Sequence, residues 1–398
     1  MSKVVVVGAG ASGIIAALKA SEKNKVIIVE KNDKIGKKLL LTGNGRCNYW
    51  HDNISINNYE TDDTNNLDVI LSNLQEVYNY LYSIGIYPKI KDGYYYPYSN
   101  ASFSIVELFK NELKRKKIEI FYDFNVIDIL KKDNKFEIIS KSKTISCDRV
   151  IISTGSKAYY KTGSDGFAYD YLKKYNFIIN PVLPSLVALK SNNRYLKDWN
   201  GLRLDAKLSL YINNCFIQDE IGEVQLTDYG ISGICTFNLS SKVAKALYLK
   251  KDVKIYLNFM PFLNESFYDF FSKRSKIINK TIYELLETIF NYKLINIILA
   301  KSNISKNAYF NSLTEKEIKD LSFNIEKFEV NIIDTNGFDK AQTCVGGISL
   351  KEINPLTMEC MKIDNLFLTG ELLDVNGICG GYNLALAFIT GFIAGKSV

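Results

Sequence analysis

The residues with the clearest chemical meaning are three glycines near the start of the chain. They form the pattern Gly8-x-Gly10-x-x-Gly13, which follows the apolar run Val4–Val7 and precedes a helical pattern. In such a turn the first glycine permits a tight bend, the second lets the backbone approach a pyrophosphate, and the third allows the helix to pack closely on the strand. The N-terminus of the helix adds free N–H groups and a positive dipole. Glu30 ends the next apolar run, where its carboxylate can accept hydrogen bonds from a ribose, so these residues predict a dinucleotide site.

A second glycine-rich block, near the C-terminus, indicates which dinucleotide to expect. The first motif fits FAD and NAD equally, but an FAD enzyme must also hold the flavin half of its cofactor. Leu366–Glu371 has the pattern of a buried strand followed by a glycine and an acid that can bind ribitol hydroxyls. Gly377–Asn383 then opens an apolar helix, whose N-terminus would stabilise negative charge on a reduced flavin. The sequence therefore favours FAD.

Few other residues are available for catalysis. The chain has one histidine, His51, which nearly excludes multi-histidine metal sites and most histidine-dependent triads. His51 is predicted to be a loop residue, and we assign no catalytic acid or base and no metal ligand. Tyr94, Tyr95 and Tyr96 are compatible with a pocket wall carrying a phenolic proton donor, and equally with a half-buried strand surface. Chemistry carried out by a cofactor fits this composition.

Several blocks of the chain together resemble the YhiN-like flavoproteins. The blocks are Gly8–Gly13, Thr42–Asn48 (Thr-Gly-Asn-Gly-Arg-Cys-Asn), Thr154–Gly155, Lys161–Gly166, Gly370–Asp374 and Gly380–Asn383. That family comprises bacterial NAD(P)/FAD-dependent oxidoreductases, among them aminoacetone-oxidase-like enzymes and flavoproteins of bile-acid enone reduction. The resemblance implies an α/β, two-dinucleotide-fold flavoprotein with a Rossmann-like FAD domain, an inserted β-rich domain and a small helical cap. It also implies one FAD, bound non-covalently.

The resemblance implies a role for each matching residue. The residues implied to contact the pyrophosphate and the ribose are Gly8, Gly10, Ala11, Ser12, Gly13, Glu30 and Lys31. Those implied to line the cofactor from its nucleotide side and from the loop after the second strand are Arg46, Cys47, Asn48, Val126 (through its backbone, at the adenine), Thr154 and Gly155. Those implied to hold the flavin half are Gly370, Glu371, Gly381, Tyr382 and Asn383. The chain departs from the family pattern at Asp228, Ile234 and Cys344, toward the presumed substrate side.

Two residues of the Thr42–Asn48 loop have alternative interpretations. Cys47 beside Arg46 is either a thiolate of lowered pKa, hence redox-active, or a small residue that packs, and the second is favoured. Arg46 either binds a substrate carboxylate or braces the loop and neutralises phosphate, and again the second is favoured.

The elements expected to position these residues begin with a βαβ unit: strand Val4–Val7, helix Ala11–Lys23 and strand Val26–Val29. A helix is predicted over Leu67–Leu81, short strands between 124 and 153 and again from 186 to 257, and amphipathic helices from 261 to 324. Capping boxes are predicted at Thr281–Glu284 and Thr314–Glu317. The chain is expected to end with strand Leu366–Thr369 and helix Asn383–Ala394.

These elements predict a discontinuous Rossmann-like FAD domain made of residues 1–184 and 342–398. The β-rich inserted domain is predicted at 185–257 and 325–341, with a helical subdomain at 258–324.

Composition limits the compartment and the partners. The 50 Lys and Arg residues exceed the 43 Asp and Glu residues by a scattered +7, which is no nucleic-acid footprint by itself. Seven well-separated cysteines without a CxxC pair favour a reducing compartment, so the expected location is cytoplasmic. Val375–Gly395 is uncharged and long enough to span a bilayer, but its glycines and asparagines argue against a span. A small-molecule substrate is expected, with no membrane or nucleic-acid partner.

The function predicted from the sequence is that of an FAD-dependent oxidoreductase transferring hydride between flavin N5 and a small or medium organic substrate. NAD(P)H-linked reduction of an activated C=C bond, with NADH or NADPH as donor, comes first. An amine oxidase that produces peroxide is the alternative within the same class. A flavin-containing RNA-binding protein and a redox sensor acting through Cys47 are alternatives from other classes.

Overall fold

A computed structural model describes residues 1–273 and 279–398. The chain forms two compact units, one made of Met1–Ser185 with Phe338–Val398 and the other of Leu186–Gly337. The predicted separation of a helical subdomain at 258–324 stays a prediction.

Both units contain strands and helices. The strands are β1 (Lys3–Val7), β2 (Lys25–Val29), β3 (Trp50–His51), β4 (Tyr59–Thr61), β5 (Pro88–Lys91), β6 (Tyr94–Pro97), β7 (Glu119–Phe121), β8 (Val126–Lys132), β9 (Lys135–Ser140), β10 (Thr144–Cys147), β11 (Arg149–Ile152), β12 (Ile179–Ser185), β13 (Leu189–Ser191), β14 (Arg203–Ile212), β15 (Cys215–Thr227), β16 (Gly230–Ser232), β17 (Val253–Asn258), β18 (Phe328–Thr335), β19 (Thr343–Ile348), β20 (Leu366–Leu368) and β21 (Val375–Gly377). The α-helices are α1 (Ala11–Ala20), α2 (Thr64–Leu71), α3 (Leu74–Ser83), α4 (Ser102–Arg115), α5 (Phe167–Lys173), α6 (Leu196–Trp199), α7 (Ile234–Tyr248), α8 (Phe267–Ser272), α9 (Ile282–Leu286), α10 (Tyr292–Lys301), α11 (Glu315–Glu326) and α12 (Tyr382–Ser397).

A parallel sheet of order β20-β11-β1-β2-β7 organises the first unit. Its central strand β1 is an almost wholly buried valine run that pairs in parallel with both β2 and β11. Buried β-branched runs of this kind are typical of sheets covered by helices on both faces. Strand β20, from the C-terminal segment, pairs in parallel with β11, so both ends of the chain build the sheet. The predicted α/β, Rossmann-like fold is confirmed.

Two glycines let the C-terminal helix α12 lie directly against α1. A Cβ at Gly391 would stand 2.2 Å from the carbonyl oxygen of Ser12, and one at Gly395 would stand 2.5 Å from that of Ala16. Any larger residue at either position would push the helices apart. Because α1 and α12 both begin at glycine-rich loops, this packing ties the two loops to one rigid pair of helices. No helix in the described part of the chain is long and apolar enough to cross a membrane.

The second unit is built on a closed barrel of order β13-β16-β15-β14-β17-β18. The prediction of short strands throughout 186–257 is wrong for α7, a 15-residue helix that buries Leu239, Val243 and Ala246 in the core of this unit. Those residues have helical spacing, but the serines and lysines between them leave only a short apolar pattern from which to detect it. Both predicted capping boxes are confirmed, at the starts of α9 and α11.

The single helix predicted over Leu67–Leu81 is also wrong, because the structure has α2 and α3 there. The Asn73 amide donates to the carbonyl oxygens of Val69 and Ile70. A side chain that bonds nearby backbone carbonyls competes with the helical ladder, which accounts for the break.

Candidate functional site

The Gly8–Gly13 loop has the shape that a pyrophosphate requires. Gly8 has a φ of 102°, and a Cβ there would stand 2.6 Å from the carbonyl oxygen of Ser153. A Cβ at Gly13 would stand 2.0 Å from the carbonyl oxygen of Gly8, so α1 reaches the strand only because residue 13 is glycine. A Cβ at Gly10 would meet no atom within 4 Å. The backbone at Gly10 is therefore open on the side from which a ligand would approach.

The N-terminus of α1 carries no side-chain cap from any described residue. Ala11, Ser12 and Gly13 form the first turn, whose N–H groups have no partner within the helix. Backbone donors and a helix dipole directed at open space form a site for anions. The residues present thus fit a diphosphate.

Glu30 is buried at the end of β2 and holds the same loop. One carboxylate oxygen accepts the Ala9 N–H at 2.7 Å, and the other accepts the backbone N–H and the side-chain amide of Asn32 at 2.8 and 2.7 Å. An ionised carboxylate has about four acceptor positions, so room for ribose hydroxyls remains. Lys31, next in the chain, is partly exposed and forms an ion pair with Asp165 at 2.5 Å.

Two further segments approach the end of β2. The Phe124 N–H donates to the carbonyl oxygen of Glu30 at 2.8 Å, which brings the start of β8, including the buried Val126, to this end of the strand. Thr154 and Gly155 follow β11 after one residue, Ser153. A Cβ at Gly155, where φ is 71°, would stand 2.8 Å from Ser164 Oγ. The structure thus gathers the predicted nucleotide-side residues at the carboxyl end of the parallel strands.

The loop after β2 is a tight turn, with positive φ at Gly43, Asn44, Gly45 and Cys47. Arg46 is exposed; its Nε donates to the carbonyl oxygen of Gly43, and its guanidinium lies 5.3 Å from the centre of the Tyr96 ring. These contacts agree with the bracing interpretation of Arg46.

Cys47 is fully buried, and burial raises the pKa of its thiol to about 12. The thiolate interpretation of Cys47 is therefore wrong: a neutral, enclosed thiol is a packing residue. The neighbouring Asn48 amide, oriented by its surroundings, donates to the carbonyl oxygens of Trp50 and Tyr95 at 3.2 Å each.

On the flavin side, Gly370 and Glu371 follow β20. A Cβ at Gly370 would stand 2.6 Å from Ser12 Oγ, so this turn touches the first turn of α1. The Glu371 carboxylate pairs with Lys38 Nζ at 2.5 Å. The sequence analysis does not predict this partner, because the two residues lie 333 positions apart in the chain.

Gly381 is the N-cap of helix α12, with a φ of 99°, and this end of the helix has no side-chain cap from the described residues. The Asn383 amide accepts the N–H of Gly377 at 2.9 Å and donates to its carbonyl oxygen at 2.8 Å, closing the 377–383 loop. Tyr59 Oη donates to the carbonyl oxygen of Tyr382. Asn383 therefore fixes the shape of the loop that leads into α12.

His51 was predicted to be a loop residue, and this is wrong. It lies on β3 with its ring stacked on Tyr382, at a centroid distance of 5.0 Å and an angle of 21°, and its pKa is lowered by burial. Tyr94 meets the edge of His51 at 4.8 Å, and a Cβ at Gly380 would stand 2.7 Å from the Tyr94 ring. A two-residue strand has too short a pattern to be detected from the sequence.

The three neighbouring tyrosines differ in their surroundings. Tyr95 donates a hydrogen bond to Asp52 at 2.6 Å, which raises its pKa to about 12, and Tyr96 lies under Arg46. Burial raises the pKa of Tyr94, whose ring packs against the 377–383 loop. Of these three tyrosines, Tyr94 is the one whose ring packs against the loop that precedes α12.

We call the two glycine-rich loops at the starts of α1 and α12, with the residues around them, the cradle. The fold and this cradle define a Rossmann-type, FAD-dependent oxidoreductase. The chain belongs to the HI0933-like family, because the family described as "HI0933-like protein Rossmann domain" matches residues 2–397. The resemblance to YhiN-like flavoproteins is confirmed.

Two relatives match over essentially their full length. The chain is 37% identical to the 3-dehydro-bile acid delta(4,6)-reductase of Clostridium scindens, over 100% of this chain and 99% of that protein. It is 23% identical to the ribosomal RNA dihydrouridine synthase of Haemophilus influenzae, over 100% of this chain and 98% of that protein.

Two solved structures share the fold over the whole chain. The 3-ketosteroid-delta4-(5alpha)-dehydrogenase of Rhodococcus jostii matches with a TM-score of 0.52 at 13% identity, over 100% of this chain and 96% of that one. A flavocytochrome c3 fumarate reductase matches with a TM-score of 0.53 at 14% identity, over 100% and 78%. At these identities the likeness concerns the fold alone.

Proposed function

We propose that this chain is an FAD-dependent reductase that uses NADH or NADPH to reduce a C=C bond conjugated to a carbonyl group. One observation carries the proposal: 37% identity, end to end, with a protein named as a 3-dehydro-bile acid delta(4,6)-reductase. The substrate class we propose is therefore a cyclic enone or dienone. A pyridine nucleotide is proposed as donor because a reductase needs a source of electrons.

The proposed FAD contacts follow the geometry of the cradle. The N–H groups of the first turn of α1 would bind the diphosphate, and Glu30 would accept the ribose hydroxyls. Val126, Thr154 and Gly155 would lie along the nucleotide half. Bound FAD supplies hydride transfer.

On the flavin side, the turn at Gly370 and the N-terminus of α12 would direct backbone donors at the flavin ring. Backbone donors and a helix dipole stabilise negative charge that develops during reduction. Asn383 would act by fixing the 377–383 loop, and Glu371 would share its carboxylate between Lys38 and the ribitol hydroxyls.

Reduction of a conjugated C=C bond also needs a proton, and Tyr94 is the candidate donor. A tyrosine phenol is protonated at neutral pH, and the Tyr94 ring packs on the loop that precedes α12. Tyr94→Phe should lower the rate of reduction of the organic substrate by about 10²–10⁴-fold, the usual contribution of general acid catalysis. Tyr96→Phe is the matched control, because Tyr96 lies under Arg46. Reduction of bound FAD by the nucleotide should be unchanged in both variants.

A second candidate is reduction of uridine in RNA. It is supported by the 23% identity with a ribosomal RNA dihydrouridine synthase and by the net charge of +7. Dihydrouridine differs from uridine by two hydrogens across a ring C=C bond, so the same cradle would serve both reactions. No contact among residues 1–273 and 279–398 favours amine oxidation.

An anaerobic half-reaction experiment tests the proposal. The FAD-loaded protein is reduced with NADH or NADPH, and reoxidation is followed after adding a steroid-type dienone or a uridine-containing RNA. In a separate sample the oxidised protein is mixed with aminoacetone, which an amine oxidase would use to reduce its flavin, and peroxide is measured after oxygen is admitted. Reoxidation by the dienone supports the proposal, and reoxidation by RNA alone supports the second candidate. Flavin that neither nucleotide reduces, together with amine-dependent peroxide, would refute both.

A further inference from the structure

A cavity of about 310 Å³ in the first unit has not been given a role. It lies among the loop after β3, the start of α3 and strand β6, and its walls include Trp50, His51, Asp52, Gln75, Tyr78 and Tyr95. Its size is at the lower end of the range for small-molecule sites. None of its lining residues is among those proposed to hold FAD.

Three aromatic rings form a corner of this cavity. The Trp50 and Tyr78 rings are 6.0 Å apart and inclined at 45°, and the Tyr78 and Tyr95 rings are 5.9 Å apart and almost perpendicular. Rings set at such angles can present faces to one small ligand from different directions. The negative faces of aromatic rings attract cations, with tryptophan the strongest.

The charge of the cavity wall also favours a cation. Asp52 is the one formally charged residue among the described residues that line the cavity. Its carboxylate is held by the Tyr95 hydroxyl at 2.6 Å, and its N–H donates to the carbonyl oxygen of Gly93. His51 is uncharged at neutral pH, because burial lowers its pKa below 6.5. The cavity is thus locally negative in a chain whose net charge is +7.

We propose that this cavity is a binding site for a small methylated ammonium ion. The trimethylammonium group would rest on the Trp50 and Tyr78 faces, with Asp52 as its counter-ion. A quaternary trimethylammonium group has no N–H that needs a hydrogen-bond partner, so aromatic walls suit it better than they suit a primary ammonium. An anion would be repelled by Asp52, and a neutral molecule would leave that carboxylate without a charged partner.

The cavity wall is also in contact with the start of α12. A Cβ at Gly381 would stand 2.7 Å from the carbonyl oxygen of Trp50, and the His51 ring stacks on Tyr382. A cation seated on Trp50 therefore lies against the strand that supports the flavin-side helix. Occupancy should be visible as a small change in the absorption spectrum of bound FAD.

Isothermal titration calorimetry of the FAD-loaded protein tests the site with choline and its neutral isostere 3,3-dimethylbutan-1-ol. Choline should bind at least about tenfold more tightly, the combined effect of the aromatic faces and the carboxylate. Tryptophan emission gives a second readout, because the only other tryptophan, Trp199, is fully buried in the other unit. Equal affinities for the two compounds, or no heat with choline at tens of millimolar, would overturn the proposal.

Variants separate this site from weak surface binding. Asp52→Asn and Tyr78→Leu should each weaken choline binding by about three- to tenfold, as expected for a partly exposed ion pair and a cation–π contact. Asp133→Asn is the matched control: Asp133 is exposed in the β8–β9 turn, where its φ of 51° suits asparagine. Unchanged affinity in Asp52→Asn, or an equal loss in Asp133→Asn, would refute the assignment. If Tyr78→Leu fails to fold, the Asp52→Asn and isostere results decide alone.

Discussion

Gly10 offers a way to separate cofactor binding from folding. Its φ of −81° and ψ of −173° are open to alanine, and a Cβ there meets no atom within 4 Å. Alanine is a poorer N-cap than glycine, which destabilises the folded state. The alanine side chain also restricts the unfolded chain, which stabilises the folded protein by about 0.4–1 kcal/mol, so the two effects nearly cancel. Gly10→Ala should therefore leave the Tm of the apoprotein within about 4 °C of the wild-type value.

The same methyl group would stand where the backbone has to approach the diphosphate. Loss of one hydrogen bond to a charged oxygen costs about 1.5–3 kcal/mol. This corresponds to an increase of about ten- to 150-fold in the Kd for FAD. The assay is titration of deflavinated protein with FAD, followed by quenching of flavin fluorescence, alongside thermal unfolding of the apoprotein.

Gly13→Ala is the control, and its defect should appear in the stability of the apoprotein. Its Cβ would stand 2.0 Å from the carbonyl oxygen of Gly8, so α1 must move, and such overpacking costs about 1–3 kcal/mol. The apoprotein should lose stability in Gly13→Ala but not in Gly10→Ala. Wild-type FAD affinity in Gly10→Ala, or equal destabilisation of both variants, would refute the reasoning.

Three further predictions concern buried and exposed titratable groups. Glu30→Gln removes the charge that holds the Gly8–Gly13 loop, so it should lower FAD affinity and also reduce the stability of the apoprotein by about 1–2 kcal/mol. An unchanged midpoint of urea unfolding would contradict this. In the native protein the fast reaction with a thiol reagent should come from the exposed Cys215. This reaction should disappear in Cys215→Ser and persist in Cys47→Ser. Loss of the fast reaction in Cys47→Ser would instead support the redox-sensor hypothesis. The C2 proton of His51, the only histidine, should titrate in NMR spectra with a midpoint below 6.5, and a midpoint above 6.5 would show that the ring is not buried as described. Because the native state then binds fewer protons than the unfolded chain, the Tm should fall as the pH drops through about 6.5, and His51→Gln should reduce that fall.

The parts of the fold that the sequence predicts are those whose cause is local. The valine run of β1, the glycine spacing and the capping box at Thr281 each depend on residues a few positions apart, and all three are confirmed. The Lys38–Glu371 ion pair and the stacking of His51 on Tyr382 join residues more than three hundred positions apart. Nothing in the local sequence pattern specifies such a pair. Each pair forms because strand β20 joins the sheet that contains β1, and because helix α12 packs on α1.

Gly10 shows how structure strengthens an inference that the motif alone supports weakly. The other glycines of this chain are explained by the fold: each has a positive φ, as Gly45 does, or a Cβ would collide with a neighbour, as at Gly13 and Gly391. Gly10 has neither feature. Its one structural merit is as an N-cap, where serine, aspartate or asparagine would stabilise α1 at least as well. A side-chain oxygen at residue 10 would occupy the position of a phosphate or repel its charge. The glycine is therefore accounted for by a ligand and not by the fold. For this reason we expect Gly10→Ala to weaken FAD binding without destabilising the protein.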